Sequence, residues 1–471
     1  MRDNRVILKI FKSIMGILVC SFSIFSNLHA ATNQEESSLL AQSLQLPSIE
    51  HNQSTGPNID KIFPDENSAT LKKAVKTAME SNYRIRQAQE RITQAEYSTK
   101  EAQADFLPQV DVSATGTAKE TKGFDTQNYG QTRGDAVVTY NLYSSGMHTE
   151  NIERTKITKR EQEERLKGTY EEEISKAIDA YFSVAYGKLS VDVNRKNYEK
   201  LLKILEIVKI KRELGAATLG DESSIQASVS NAKTALINTE SAYNNARDYY
   251  EFLTNSKIEL LSPYETAFDI ELSPFDTVFD EIKSRNTDLT ILEIQIKGKQ
   301  KDVVINNATK GPKIDFSMTN SKRYKNDYLS PDALKNNSDF IGELTISYHF
   351  YDGGRTEAKS AKLLSEVSGL VYNLEYTKQD TKWNSQKLFN SVQTNSRTIE
   401  TLTTEIDASR RMSDAYWEKF RLSSQDLVTL LQAQRQVNSA ELEKLRSEKT
   451  RLIDYFALLA KQGKLIEYFN F

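Results

Sequence analysis

The chain repeats itself. Leu107-Pro108-Gln109-Val110-Asp111-Val112-Ser113 returns as Gly311-Pro312-Lys313-Ile314-Asp315-Phe316-Ser317. Tyr140-Asn141-Leu142-Tyr143 returns as Tyr348-His349-Phe350-Tyr351, and Asp248-Tyr249-Tyr250 through Leu253 as Asp454-Tyr455-Phe456 through Leu459. Three matches in one order, at an offset of about 204 to 208 residues, make the chain two copies of one series of elements. Any fold must therefore be built twice from the same parts.

Each copy reads as helix, strand, strand, long helix, helix. In the opening helix Leu71, Ala78, Ile85, Ile92 and Phe106 follow a seven-residue period, and Ala74, Ala88, Ala95 and Ala102 run beside them. That is a coiled-coil seam with a small-residue edge. From Gly146 to Arg212, and again from Gly354 to Phe420, the sequence contains no proline. Each stretch predicts a helix of roughly 100 Å at about 1.5 Å per residue, a length rare in globular domains. The shorter helices before and after would stack end to end to match it. Only 8 prolines and 18 glycines in 471 residues, with 27% charged and 38% hydrophobic residues, suit long solvated helices better than a compact α/β enzyme. A net charge of −3 gives no basic face for nucleic acid.

The strands fall at about 108–118 and 135–143, and at about 313–320 and 340–350. In the first pair Val110 and Val112 alternate with Asp111 and Ser113, and Val138, Tyr140 and Leu142 with Thr139 and Asn141. In the second, Ile314, Phe316 and Met318 alternate with Asp315, Ser317 and Thr319, and Leu344, Ile346 and Tyr348 with Thr345 and Ser347. A half-buried soluble sheet alternates in this way, and so does a tilted barrel strand with apolar side chains to lipid. Three features favour the barrel: an export signal, tunnel-length helices, and the lack of any other apolar element. Four strands cannot close a barrel, and an open edge in lipid leaves backbone groups unsatisfied. Two copies give a barrel filled by its own side chains; three give twelve strands and a lumen.

The export signal is expected over 1–30. Arg2, Arg5, Lys9 and Lys12 precede an apolar run from Ile14 to Phe25, and Leu28-His29-Ala30 ends on a small residue. The alternative is a retained anchor. Cleavage would remove Cys20, the chain's one cysteine, and with it any disulfide or thiolate metal site. A polar lead-in over 31–67 follows. The two repeats are placed at 68–255 and 280–464, with a connector at 256–279 and a tail at 465–471.

This layout resembles the TolC family of outer-membrane efflux proteins over about residues 68–464. The resemblance rests on Pro108 and Pro312, the junctions Tyr140–Gly146 and Tyr348–Gly354, the segments Leu214-Gly215 to Asp221 and Phe420 to Ala433, and the ending Tyr455 to Leu465. Tyr140–Tyr143, and Ala415-Tyr416 before Phe420-Arg421-Leu422, look most like the adhesin-exporting branch of type I secretion. The resemblance implies a passive outer-membrane duct: a homotrimeric twelve-stranded barrel, set in lipid and continuous with a periplasmic helical barrel. It would work with a periplasmic adaptor and an inner-membrane transporter, an ABC ATPase in that branch. Multidrug efflux is the alternative cargo, and a periplasmic coiled-coil adaptor is the rival of another class, though an adaptor predicts one hairpin where here both hairpin and strand pair are duplicated.

The resemblance also places a gate at the helical tips, around Leu214, Gly215, Asp221, Phe420, Leu422, Ser423, Gln425 and Asp426. Asp221 fits the family's gate aspartate, while Phe420 and Gln425 stand where its tyrosine and arginine partners are expected. Thr429 and Gln432 stand where the family carries an inward aspartate ring. No catalytic residue, cofactor or metal ligand is expected. His29, His51, His148 and His349 form no HExxH pair, and Gly353-Gly354 lacks the remainder of a phosphate loop. Trp383 and Trp417 are expected to pack between helices.

Overall fold

The structure, a computed structural model, describes residues 65–119, 129–257, 270, 272–325, 337–422 and 426–471. The expected leader, nearly all of the lead-in, most of the connector, and Ser423 and Gln425 lie outside the described residues. The first half supplies α1 (Asp65–Glu80), α2 (Tyr83–Ala104), β1 (Gln109–Lys119), β2 (Tyr129–Tyr143), α3 (Met147–Glu213) and α4 (Leu219–Thr254). The second supplies α5 (Phe275–Arg285), α6 (Thr287–Ala308), β3 (Lys313–Lys325), β4 (Asn337–Ser347), α7 (Arg355–Arg421) and α8 (Leu427–Lys461), and α9 (Leu465–Phe469) follows.

The long helices α3 and α7 are each 67 residues. Each begins after a glycine in the left-handed region, Gly146 at φ +81° and Gly354 at φ +79°. A Cβ is disfavoured there, and the chain can turn sharply out of the strand. α2 and α6 pack along the strand-proximal part of α3, and α4 and α8 along its far part; α7 packs against α6 and then α8. The near part of α3, from Met147 to Tyr170, has no fully buried residue, whereas Glu171 to Val208 holds sixteen. Near the strands the helices are tied by ion pairs instead: Arg154–Asp302 at 2.8 Å, Lys159–Glu96 at 2.7 Å and Lys299–Glu366 at 2.8 Å. Half-exposed pairs of this kind contribute about 0–1 kcal/mol each, so packing in the far half carries more of the helical stability.

The opening helix of each half is broken, which its heptad seam did not announce. Asn82 separates α1 from α2 and accepts from the N–H groups of Arg84 and Ile85; Asn286 separates α5 from α6 and accepts from those of Asp288 and Leu289. An asparagine at such a point offers its side-chain oxygen to otherwise orphaned donors. The small edge is the buried one: Ala74, Ala88, Ala95 and Ala102 are all buried. The repeat boundary placed at 280 falls inside α5, because Phe275, Phe279 and Phe389 pack that helix onto α7.

The strands form one antiparallel sheet in the order β1-β2-β3-β4. β2 and β3 run several residues beyond the expected 135 and 320, to Tyr129 and Lys325, through sequence with no apolar alternation to signal it. β4 ends at Ser347, not at 350. Ser347 pairs with Lys313, the first residue of β3, so among the described residues the Tyr348, His349 and Phe350 backbone has no further strand to bond. A register shift between Asn141 and Tyr143 makes Leu142 the extra residue of a bulge; Tyr143, not Leu142, pairs with Ile314.

The tail is not loose. Glu171, 5% exposed, accepts from the N–H groups of Leu465 and Ile466 at 3.2 and 3.3 Å, and Tyr170 stacks on Phe471. Burial pushes the Glu171 carboxyl up to about 7 against the partial opposition of those two N–H donors. A raised pKa means that the buried site favours the protonated form of Glu171. Its stability is full below the ordinary carboxylate range and falls as pH rises toward 7, by up to about 3 kcal/mol. The protection of amides 465–471 against hydrogen exchange, taken relative to the intrinsic rate at each pH, is therefore expected to fall between pH 5 and 8, and Glu171→Gln to abolish that fall. A pH-independent tail in the native protein counts against this account.

Candidate functional site

Directly paired residues of an antiparallel sheet share a face, so the register sorts every strand residue. One face carries the rows Val112–Ala136–Asn320–Phe340, Val110–Val138–Met318–Gly342, Tyr140–Phe316–Leu344 and Ile314–Ile346. Val110, Val112, Leu344 and Ile346 are 59–81% exposed on it, with no described residue covering them. Tyr348 is also exposed, but beyond the end of β4. At the far end the rows turn polar, with Lys322 between Gly134 and Ser338.

The opposite face is largely polar, broken only in the row Asp111–Val137–Thr319–Ile341, where Val137 and Ile341 interrupt it. Asp135 accepts from Ser321 Oγ at 2.6 Å and Arg133 Nε at 2.7 Å, and Ser321 is almost fully buried. Arg323 pairs with Asp339 at 3.4 Å, and Asn141 Nδ2 donates to Asp315 Oδ1 at 2.8 Å. Among the described residues the sheet thus has one uncovered apolar face, one largely polar, hydrogen-bonded face and two unpaired edges, β1 and β4.

At the far end lie the helix–helix turns. α3 stops at Glu213 because Gly215, φ +73°, turns left-handed; Gly215 N–H donates to the Arg212 carbonyl and Ala216 N–H to that of Lys211. This pair of bonds satisfies the last carbonyls of the helix. Thr218 opens α4, with its hydroxyl accepting from Asp221 N–H at 3.0 Å. The Asp221 carboxylate accepts from Thr218 N–H at 2.8 Å and from the Thr218 hydroxyl at 2.7 Å. Those donors, the backbone N–H foremost, hold the Asp221 carboxyl below its usual range. In this chain Asp221 is therefore a capping residue. The cation near it, Arg212, pairs with Glu222 at 2.7 Å, within the same hairpin.

Phe420 does not face Asp221. It is 5% exposed within an apolar cluster of Leu201, Ile204, Val208, Ile225, Leu430 and Leu431, with Trp417 packed against it. Lys211 reaches across from α3, its ammonium 4.2 Å from the centre of the Phe420 ring and hydrogen-bonded to the Phe420 carbonyl. Asp426 caps α8, accepting from Thr429 N–H at 3.4 Å; Thr429 is half-buried and Gln432 exposed. Leu214 and Leu422 project into solvent, 78% and 79% exposed. Trp383, expected between helices, is 63% exposed on α7 instead.

Sequence reasoning missed Lys211, which only packing brings to Phe420. It also missed the Thr218-x-x-Asp221 box, which spacing alone could have shown.

The sequence model of outer membrane efflux proteins matches the chain over residues 74–250 and again over 278–463, once in each half. Among solved structures, CusC, described as forming a transmembrane channel, superposes with a TM-score of 0.73 at 13% identity, over 87% of this chain and 95% of that one. The outer-membrane channel OprN gives 0.72 at 17% identity, over 86% and 92%. The outer membrane protein VceC from Vibrio cholerae gives 0.69 at 14%, over 84% and 96%. At such identities the likeness is one of fold. No curated protein sequence matches the chain. With both halves matched by one family model, and the duplicated helix–sheet fold shared with solved outer-membrane channels, the chain belongs to the outer membrane efflux protein family: a channel of the Gram-negative outer membrane with a periplasmic helical extension, and not an enzyme.

Proposed function

We propose that three copies close into a twelve-stranded barrel whose apolar rows meet lipid and whose polar rows line a water-filled lumen. The helices would continue the duct toward the inner membrane. The observation that carries this is the sheet itself: four strands, one uncovered apolar face and two open edges. In lipid those edges must be paired, because each unbonded backbone group costs several kcal/mol. Three copies pair all of them and leave a lumen.

The tips at Leu214–Asp221 and Phe420–Gln432 are the mouth. A periplasmic adaptor docks there, on a surface that includes the exposed Leu214 and Leu422, and an inner-membrane pump drives transport. In our reading the pump is an ABC ATPase and the cargo a protein, as in type I secretion; the Tyr140–Tyr143 and Ala415–Leu422 segments support that branch. The test has two parts. Native mass measurement in detergent is expected to give a trimer, and the trimer to conduct ions in a planar bilayer once its mouth is opened. A stable, non-conducting monomer overturns the duct. Deletion of the gene is expected to remove a secreted protein from the medium; drug sensitivity with an unchanged secretome overturns the type I branch and leaves small-molecule efflux.

A further inference from the structure

The apolar face of the sheet ends differently at its two ends. Next to the helices it runs out in aromatic rings: Tyr143 pairs with Ile314, and the exposed Tyr348 and Phe350 follow Ile346. At the far end it runs out in a charge. Lys322 lies between Gly134 and Ser338, on the face of Phe316 and Met318, and it is exposed. Among the described side chains of this face it is the one that carries a charge.

Two other cations of that end are turned the other way. Arg133 and Arg323 lie opposite each other in the β2–β3 register, on the polar face. Each is held by a carboxylate there, Arg133 by Asp135 at 2.7 Å and Arg323 by Asp339 at 3.4 Å. Alternation puts the side chain between them in sequence, Lys322, on the apolar side.

The height of Lys322 is that of a headgroup. At about 3.4 Å per residue and a strand tilt of about 35–45°, the stretch of β3 from Ile314 to Lys322 rises roughly 20 Å along the membrane normal. The apolar band of a membrane barrel is about 25 Å tall and flanked by aromatic residues. With Tyr348 and Phe350 at the periplasmic boundary, Lys322 comes level with the opposite one. The helices extend into the periplasm, so that boundary belongs to the outer leaflet.

The surroundings suit a phosphate. Gly134 leaves room beside the lysine, since a Cβ there would meet nothing within 4 Å. Ser338 stands opposite on β4, Thr132 lies diagonally across on β2, and Asn320 is two residues below on β3, all exposed on this face. Two hydroxyls and an amide can donate to phosphate oxygens, and an ammonium binds phosphate as a point charge. At the edge of lipid such a pair is screened less than in open water. Resting on the trimeric barrel proposed above, we infer that Lys322, with Ser338, Thr132 and Asn320, binds a phosphate-bearing headgroup of the outer-leaflet lipid, one site per subunit.

The probe is bis-phosphorylated lipid A, with the same lipid stripped of its phosphates as the control. The full-length chain, freed of lipid in detergent, is titrated with each, and bound lipids are counted by native mass measurement. The wild-type trimer is expected to bind lipid A about five- to tenfold more tightly than Lys322→Gln, and Lys322→Arg to bind as the wild type does. Arg323→Gln, on the polar face, is expected to leave binding unchanged. Stripped lipid is expected to bind the wild type and Lys322→Gln alike, and weakly. Lipid A bound equally by the wild type and Lys322→Gln, or lost equally in Arg323→Gln, overturns the headgroup site while the trimer stands. So does stripped lipid that binds the wild type as tightly as lipid A, a comparison that needs no variant to assemble. A wild-type chain that stays monomeric overturns the barrel and the site together.

Discussion

Phe316→Arg is expected to block assembly into the membrane, whereas Ser317→Arg, one residue on, is expected to fold and alter conductance. Phe316 sits in a row with Tyr140 and Leu344, one row in from the helix end of the sheet and flanked by apolar rows on both sides. Ser317 lies between Thr139 and Glu343 on the polar face. Arginine on the lipid face near the bilayer midplane costs about 2–4 kcal/mol. Three-fold repetition in the proposed barrel would multiply that to about 6–12 kcal/mol, comparable to the whole margin of a typical folded protein. On the lumen side the guanidinium stays in water, and its charge changes ion flow instead. Ile346→Arg, in the end row, should cost less than Phe316→Arg, since the penalty falls toward the interface. The readouts are heat-modifiable mobility of the folded barrel and single-channel conductance. Equal tolerance at 316 and 317 assigns the apolar face wrongly.

Phe420→Ala is expected to loosen the helical mouth more than removal of any charge there. Phe420 fills the cluster in which both hairpins meet, and truncating a buried phenylalanine costs about 3–5 kcal/mol. Asp221→Ala removes a capping box, about 0.5–2 kcal/mol, and the loss is confined to the start of α4. Lys211→Met lies between the two. It loses a hydrogen bond and a cation–π contact, together about 1–3 kcal/mol, between α3 and the end of α7. The ion pair at the tip, Arg212–Glu222, stays within the first hairpin and does not tie it to the second. Conductance in planar bilayers should therefore rise in the order Asp221→Ala, Lys211→Met, Phe420→Ala, and the native closed state should depend little on salt. A wild-type channel opened by high salt, or an Asp221→Ala channel wider than Phe420→Ala, shows an ionic mouth instead.

Some of this was legible in the residues alone. The duplication follows from repeated segments and the two long helices from proline-free stretches, while the four strand centres and the identity of the apolar face follow from local periodicity, which is written residue by residue. Val110, Phe316 and Leu344 could be placed on one face before any strand was paired, because side chains alternate whatever the partner. The ends of elements were not legible in the same way. β4 stops at Ser347 only because β3 starts at Lys313, and Leu142 leaves the alternation only because the β2–β3 pairing slips there. Both are properties of two strands together. At the tips, spacing carried the capping box, but Phe420 and Lys211 meet through residues some two hundred positions apart. The family pattern suggested a tyrosine-like partner for Asp221. Packing of α3, α4, α7 and α8 turned that ring inward instead, because a phenylalanine has no hydroxyl to hold at a wet surface and gains by burial.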